Sequence, residues 1–284
     1  MYSYRRTMLK RKTVKGFMLS FIAIACGVYL GILLLMFLFQ SKLVYFPSKT
    51  LVCTPADLRL EFEDLMISTP DGIRINAWFV PAKESSRTVI FCHGNGGNMC
   101  YSLDVVENFH KMNCNVLLFD YRGYGRSEGS PSEKGTYADA QASYAWLMKE
   151  KKVQEREIVV MGRSLGGAIA SRLARENNPG MLILESSFTS TADVGASAYP
   201  IFPVRLLCRY GYRTVDNVKD IRCPLLVIHS PDDEIVPFIH GRRIFDAAKD
   251  PKMFLQIRGT HNEGMDESRD VYFEGLRKFM EAYR

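Results

Sequence analysis

The chain has 284 residues, of which 47% are hydrophobic and 24% charged, with 37 basic against 31 acidic side chains. The net charge of +6 comes from the first fifteen positions, which hold six basic residues and no acid: Arg5, Arg6, Lys10, Arg11, Lys12 and Lys15. Since the rest of the chain is balanced, the composition gives no support to a basic surface for nucleic acid, and we expect no nucleic-acid partner.

An uncharged apolar stretch follows the basic tail, from Phe17 to Phe39. As a helix rising about 1.5 Å per residue it would reach roughly 35 Å, enough to cross a hydrocarbon core of about 30 Å. A cleaved signal peptide is the alternative, but its apolar region runs only about 7–15 residues and ends at a small-x-small site. The exit Phe37–Leu43 has no such site. We therefore predict an uncleaved, single-pass transmembrane helix at 17–39.

The charges that flank this stretch predict its orientation. Six basic residues precede it, and only Lys42 and Lys49 follow closely. The positive-inside rule then places the tail 1–16 in the cytoplasm and the rest of the chain on the non-cytoplasmic side. After a connector at 40–57, residues 58–284 have the length of one domain with a full core.

Strand and helix patterns alternate through that domain, and this predicts an α/β fold with a mostly parallel, eight-stranded sheet covered by helices on both faces. The first two strands flank Pro70-Asp71-Gly72, which is typical of an antiparallel hairpin. The predicted strands are Leu58–Thr69, Ile73–Val80, Val89–His93, Val116–Asp120, Ile158–Met161, Met181–Glu185, Leu225–His229 and Met253–Ile257. Helical periods follow in Tyr137–Met148, Leu165–Leu173, Gly241–Lys249 and Tyr272–Tyr283.

A serine lies at the junction of a predicted strand and a predicted helix. Ser164 stands in Gly162-Arg163-Ser164-Leu165-Gly166, directly after Ile158–Met161. The sequence G-x-S-x-G alone is weak, but between a strand and a helix it is typical of a nucleophile on a tight turn, where glycines avoid side-chain clashes. Ser164 is therefore the candidate nucleophile.

A nucleophilic serine needs a base, and the base needs an orienting acid. Among five histidines, His261 follows the last predicted strand and so lies on a loop at the carboxyl edge of the sheet. The acid is expected after Leu225–His229, where Asp232 and Asp233 stand together. The order serine, acid, histidine is that of one known hydrolase fold.

These features together resemble the α/β-hydrolase superfamily, and within it the small-lid, membrane-anchored serine hydrolases related to serine aminopeptidase-like enzymes. The resemblance covers nearly all of Leu58–Tyr283. It rests on five segments in the right order: His93–Asn98, Asp120–Ser127, the Ser164 turn, the Asp233 loop and Gly259-Thr260-His261.

The resemblance implies further site residues. The family's oxyanion donors map onto the backbone N–H groups of Asn95 and Leu165. A strand-ending His-Gly-x-x-Asp pattern selects Asp233, although Ser230 replaces the glycine and Asp232 remains an alternative. Glu185, which ends the previous strand, is a less favoured acid.

The sequence therefore predicts a membrane-anchored serine hydrolase that cleaves lipophilic or lipid acyl esters without a metal or cofactor. The cysteine spacing fits no metal or disulfide framework and indicates buried free thiols. A short, aromatic-rich lid region at 187–222 either faces substrate or membrane, or packs partly on the core. A peptidase or amidase, an acyl-protein thioesterase and a non-catalytic binding or scaffold protein on the same fold stay open as alternatives.

Overall fold

The structure is a computed structural model that describes residues 2–283, with side chains from Lys15 to Tyr283. The chain divides into two compact units, and the boundary falls between Leu43 and Val44. The side chains of the basic tail up to Lys12 lie outside the described part.

The first unit is helical. Helix α1 spans Tyr2–Leu38 and α2 spans Gln40–Val44. Within α1, the 24-residue span Lys15–Leu38 contains an 18-residue window with a mean hydropathy of 2.7, and no residue of that window is buried. By length and composition this helix can cross a membrane, as the apolar stretch predicts.

The second unit is built on a sheet of eight strands. They are β1 (Glu63–Ser68), β2 (Arg74–Val80), β3 (Thr88–Cys92), β4 (Asn115–Phe119), β5 (Ile158–Arg163), β6 (Met181–Glu185), β7 (Leu225–His229) and β8 (Lys252–Gln256). Their spatial order is β8-β7-β6-β5-β3-β4-β2-β1. Strand β2 pairs antiparallel with both of its neighbours, β1 and β4, whereas the pairs among β3 to β8 are all parallel and the carboxyl ends of these six strands form one edge. We call it the carboxyl edge.

Helices cover both faces of this sheet. They are α3 (Leu103–Lys111), α4 (Glu133–Glu150), α5 (Leu165–Glu176), α6 (Thr191–Ala198), α7 (Val204–Leu207), α8 (Thr214–Asn217), α9 (Ile239–Ala247), α10 (Gly264–Glu267) and α11 (Arg269–Ala282). One buried cluster packs α4, α5 and α9 on the sheet, and a second packs α3 and α11 on the opposite face. The predicted fold class is thereby confirmed.

The stretch before β1 differs from the prediction. The sequence places a strand from Leu58, but Pro55–Leu58 is a 3-10 turn, and the strand begins only at Glu63. The carboxylate of Asp57 accepts the backbone N–H of Thr54 at 2.7 Å, and Arg59 adopts a left-handed conformation with φ 58°. This local capping stabilises a turn in preference to an extended strand.

The segment predicted as a connector contains regular structure as well. Phe46–Pro47 forms a short strand that pairs in parallel with Gly96–Gly97, the loop that follows β3. Thus the beginning of the second unit lies against the loop that carries the predicted oxyanion donor.

Candidate active site

The candidate nucleophile lies on a sharp turn between β5 and α5. Ser164 has φ 54° and ψ −119°, a conformation that is strained for a residue with a side chain. A Cβ added to Gly166 would lie 1.9 Å from the carbonyl oxygen of Cys92, and one added to Gly162 would lie 2.1 Å from the oxygen of Gly166. Because other backbone atoms lie so close to both glycines, a side chain at either position would clash. The turn holds Ser164 at the carboxyl edge, as the motif predicts.

The candidate base and acid are in direct contact. Nδ1 of His261 lies 2.8 Å from Oδ2 and 2.9 Å from Oδ1 of Asp233. The same carboxylate accepts the backbone N–H groups of Ile235 and Val236 at 3.0 and 2.7 Å. Burial by itself would raise the pKa of Asp233, but the neighbouring imidazoles of His229 and His261 outweigh it and hold this pKa well below its usual range. Asp233 therefore stays ionised and can orient the imidazole.

The other acids considered for this role are engaged elsewhere or exposed. Asp232 is exposed, whereas Asp233 is buried. Glu185 is buried in a separate cluster, where it accepts from Nε of Arg163 at 3.0 Å and from the hydroxyl of Tyr272 at 2.6 Å. Within the described chain, the side-chain carboxylate bonded to the His261 ring is that of Asp233.

A second acid of the same loop holds the backbone of the candidate base. Oε2 of Glu234 accepts the backbone N–H of His261 at 3.0 Å. The motif analysis did not single out Glu234, because the contact joins two loops 27 positions apart.

Ser164 and His261 follow the carboxyl ends of β5 and β8, and therefore both lie at the carboxyl edge. The hydrogen bonds of the described residues include none between Ser164 Oγ and the His261 ring. In hydrolases without bound substrate this contact is commonly loose and tightens in the complex.

The loop after β3 lies beside the nucleophile. A Cβ added to Gly94 would be 3.9 Å from Cβ of Ser164. The carbonyl oxygen of Asn95 accepts the N–H of Phe46 at 3.0 Å and the hydroxyl of Tyr124 at 2.8 Å. The N–H groups of Asn95 and Leu165 have no acceptor among the hydrogen bonds of residues 2–283. Both can therefore donate to a ligand.

A buried histidine–aspartate pair underlies this loop. Nε2 of His93 lies 3.5 Å from Oδ1 of Asp120, which accepts the backbone N–H of Met99 at 2.7 Å. Burial raises the pKa of Asp120 to about 7 and lowers the pKa of His93 to about 4. The sequence motif Asp120–Ser127 marks this place, but its charge state depends on tertiary burial that the motif does not report.

The two arginines of the same motif are paired within the fold. Arg122 binds the carboxylates of Asp139 and Asp71 at 2.8 and 2.7 Å. Arg126 pairs with Asp64 and also donates to Asn76 at 3.1 Å. Arg122 is thus held inside the fold by two carboxylates, whereas the Arg126 side chain is paired but 52% exposed.

The cysteines near the site are packing residues. All seven cysteines of the chain are free, and Cys92, Cys100, Cys114 and Cys223 are buried. Cys100 Sγ lies 3.0 Å from both the backbone nitrogen and the carbonyl oxygen of Cys53. Across the described residues, no group of three or more His, Cys, Asp or Glu side chains could hold a metal ion.

A strand–turn–helix serine, a histidine–aspartate pair and two backbone donors at the carboxyl edge of this sheet define the class of α/β hydrolases. Comparison with known proteins agrees, and the chain belongs to the α/β-hydrolase family. A family model described as the alpha/beta hydrolase fold matches residues 87–202.

Two relatives and one solved structure illustrate the similarity. The alpha/beta hydrolase domain-containing protein WAV2 of Arabidopsis thaliana is 34% identical over 90% of this chain and 92% of its own. The uncharacterized membrane protein YNL320W of Saccharomyces cerevisiae is 32% identical over 85% of this chain and 89% of its own. The Pyrococcus furiosus esterase Pf2001 has a TM-score of 0.72 at 21% identity, over 84% of this chain and 98% of the esterase.

Proposed function

We propose that the protein is a membrane-anchored serine hydrolase that cleaves lipophilic acyl esters through an acyl-enzyme. The observation that carries this proposal is the bidentate contact between Asp233 and Nδ1 of His261, at the same edge of the sheet as the strained turn of Ser164. A carboxylate held in this way fixes the imidazole tautomer whose Nε2 can accept a proton.

The reaction proceeds in two steps. His261 removes the proton of Ser164 Oγ as this oxygen attacks the ester carbonyl carbon, and the N–H groups of Asn95 and Leu165 hold the developing oxyanion. The tetrahedral intermediate collapses, the C–O bond to the alcohol breaks, and His261 gives its proton to the leaving alkoxide. A water molecule, deprotonated by His261, then releases the acid from Ser164.

Membrane attachment is supported by the apolar part of α1, Lys15–Leu38, and by the relative from yeast that is named a membrane protein. The basic residues before the apolar stretch favour a cytoplasmic N-terminus, with the hydrolase domain on the other side. Substrates held in a bilayer are accordingly the favoured class.

The test is hydrolysis of p-nitrophenyl esters of two to sixteen carbons by the full chain in phosphatidylcholine nanodiscs, beside Ser164→Ala. We expect a rate loss of about 10⁴-fold or more in the variant and an optimum at long acyl chains. A serine-directed fluorophosphonate should label the wild-type protein alone.

The alternatives give different results. Labelling without ester turnover would indicate an amidase or peptidase instead of an esterase. A preference for acyl thioesters over esters would indicate a thioesterase. Neither labelling nor turnover would indicate a non-catalytic binding protein.

A further inference from the structure

A largely buried ionic cluster includes the residue just before the candidate nucleophile. We call it the Arg163 cluster, and its members are Arg163, Glu185, Asp104 and Tyr272. Nε of Arg163 lies 3.0 Å from Oε1 of Glu185, and Nη1 of Arg163 lies 3.5 Å from Oδ2 of Asp104. The hydroxyl of Tyr272 donates to Oε2 of Glu185 at 2.6 Å. The mechanism proposed above uses none of these four side chains.

The ion pair at the centre of the cluster specifies geometry more than it adds stability. The side chains of Arg163 and Glu185 are only 16% and 4% exposed. Because both charges lose their water, a buried ion pair adds little stability compared with apolar side chains of similar volume. It does supply direction, since a planar guanidinium presents its N–H groups to a carboxylate in a fixed fork. The pair therefore holds the two strand ends that carry it in one arrangement.

Both donors of the cluster keep their protons. Burial by itself would lower the pKa of the Arg163 guanidinium, but the carboxylates of Glu185 and Asp104 outweigh it and raise this pKa. Burial, followed by the nearby carboxylate of Glu185, raises the pKa of the Tyr272 hydroxyl well above its ordinary value of 10.0. The guanidinium therefore stays charged, and the hydroxyl continues to donate to Glu185.

Glu185 holds two consecutive residues of the nucleophile turn. Its carboxylate binds the side chain of Arg163, and its backbone oxygen accepts the N–H of Ser164 at 2.9 Å. The backbone oxygen of Ser164 accepts the N–H of Gly167 at 3.0 Å and the hydroxyl of Ser187 at 3.3 Å. A strained backbone such as that of Ser164 persists only where the surrounding contacts over-determine it. The pair of Arg163 and Glu185 is one of these contacts.

The cluster also reaches the two other loops of the candidate site. Asp104 lies in the first turn of α3, which, after a 3-10 turn, follows the loop of the oxyanion donor Asn95. Tyr272 lies in α11, and α10 and α11 follow the loop of His261. The Arg163 cluster thus joins the elements that carry the nucleophile, an oxyanion donor and the base.

We propose that Arg163, Glu185 and Tyr272 are positioning residues, which set the place of the Ser164 turn relative to the loop of His261. This inference rests on the serine-hydrolase function proposed above and adds the side chains that hold its reacting groups in register. Position matters because a displacement of about 1 Å can cost about 100-fold in rate. Loss of a contact within the cluster should therefore lower kcat and leave substrate binding unchanged.

The test compares two changes from tyrosine to phenylalanine in the full chain in phosphatidylcholine nanodiscs. Tyr272→Phe removes the hydroxyl that donates to Glu185. Tyr144→Phe is the matched control, because Tyr144 is also fully buried but packs in the cluster on the other face of the sheet. The first measurement is the second-order rate at which a fluorophosphonate labels Ser164, which reports the reactivity of the nucleophile whatever the natural substrate is.

We expect Tyr272→Phe to be labelled about 5- to 10-fold more slowly than the wild-type protein, and Tyr144→Phe within about 2-fold of it. On p-nitrophenyl butyrate, kcat of Tyr272→Phe should fall by the same factor, with KM within about 2-fold of wild type. Each rate is measured well below the unfolding temperature that circular dichroism gives for that variant. Unfolding of a variant then does not count as lost positioning.

A second variant tests whether the side chains act together. Arg163→Lys keeps the charge but loses the planar fork, and we expect kcat to fall about 10-fold. Residues of one network are not additive, so the double variant with Tyr272→Phe should lose clearly less than the product of the two single losses. Losses that multiply would show two independent defects and would overturn the proposal.

The outcomes separate this inference from the proposed function. Equal labelling rates for the wild-type protein and Tyr272→Phe would leave the serine hydrolase intact and overturn the positioning role. A raised KM with unchanged kcat would assign the cluster to substrate binding and would overturn it as well. A wild-type protein that is not labelled at all would refute the serine hydrolase itself, and the positioning role with it.

Discussion

The backbone N–H of Phe46 donates to the carbonyl oxygen of Asn95 at 3.0 Å. Two residues further on, the N–H of Ser48 donates to the oxygen of Gly97 at 2.7 Å. The loop that carries a predicted oxyanion donor is thus held from outside by the chain that leaves the apolar helix. This segment is therefore a part of the candidate site.

Removing one donor of this pairing should therefore lower the rate. We expect Phe46→Pro, which has no N–H, to reduce kcat on p-nitrophenyl butyrate about 10- to 100-fold, because small displacements of an oxyanion donor are costly. Phe46→Ala keeps the N–H, and the Phe46 side chain is 54% exposed, so its rate should stay within about 3-fold of wild type. Equal rates for the two variants would show that the pairing does not position the loop.

The parts of the fold that the sequence predicted are those encoded within short contiguous segments. Met181–Glu185 and Leu225–His229 form strands with the predicted bounds, since a fully buried strand is a run of apolar residues. The Ser164 turn was recognised because its glycines stand beside it in the sequence. Chain order in a parallel sheet indicated His261 as the base and either Asp232 or Asp233 as the acid, and the family resemblance then selected Asp233.

The parts that the sequence missed depend on local capping or on distant neighbours. Phe46–Pro47 is too short to show a period, and its partner Gly96–Gly97 lies 50 positions away. Leu58–Phe62 has a strand-like composition, but the Asp57 side chain caps a turn at Pro55–Leu58, and the strand begins only at Glu63. The contact of Glu234 with His261 and the raised pKa of Asp120 arise from tertiary structure, so the motif Asp120–Ser127 marks the position of Asp120 but not its charge state.

The two adjacent aspartates predict different outcomes for the same change. Asp233→Asn should lower kcat about 10⁴-fold, because an amide that donates to Nδ1 favours the wrong imidazole tautomer. Asp232→Asn should stay within about 3-fold, since Asp232 is exposed and lies outside the imidazole contact. Steady-state hydrolysis of p-nitrophenyl butyrate, with circular dichroism as the folding control, measures both. A larger loss of rate in the Asp232 variant would show that Asp232, and not Asp233, is the triad acid.

We expect the loss of the Glu234 carboxylate to lower the rate less than the loss of Asp233, because Glu234 only positions the imidazole of His261. Glu234→Ala removes the acceptor of the His261 N–H, and because Glu234 is exposed, water replaces part of that bond. The remaining cost of about 1 kcal/mol should lower kcat about 5-fold and leave KM unchanged. Glu234→Gln retains an acceptor oxygen and should restore most of the rate. A raised KM with unchanged kcat in the alanine variant would assign Glu234 to substrate binding instead.

Because the carboxyl of Asp120 is buried, we expect the free energy of unfolding to depend on pH. Burial raises the pKa of Asp120 to about 7 in the folded protein, from its ordinary value of 3.8, so the folded state binds more protons than the unfolded state between these values. The stabilisation that the protonated Asp120 carboxyl contributes is therefore fully present below about pH 4 and is lost as the pH rises through 7. The loss amounts to about 1.4 kcal/mol for each unit of difference between the folded and unfolded pKa values.

Asp120→Asn tests this linkage, because its amide oxygen can still accept the N–H of Met99 but does not titrate. We expect the free energy of unfolding of the wild-type protein, relative to Asp120→Asn, to fall by a few kcal/mol between about pH 5 and pH 8. Neighbouring His93, whose pKa burial lowers to about 4, is present in both proteins and largely cancels in the difference. Urea unfolding of both proteins at about pH 5 and about pH 8 gives the difference in their free energies of unfolding at each pH. A relative stability that rises with pH would mean that Asp120 is ionised in the folded protein and held as an anion beside His93.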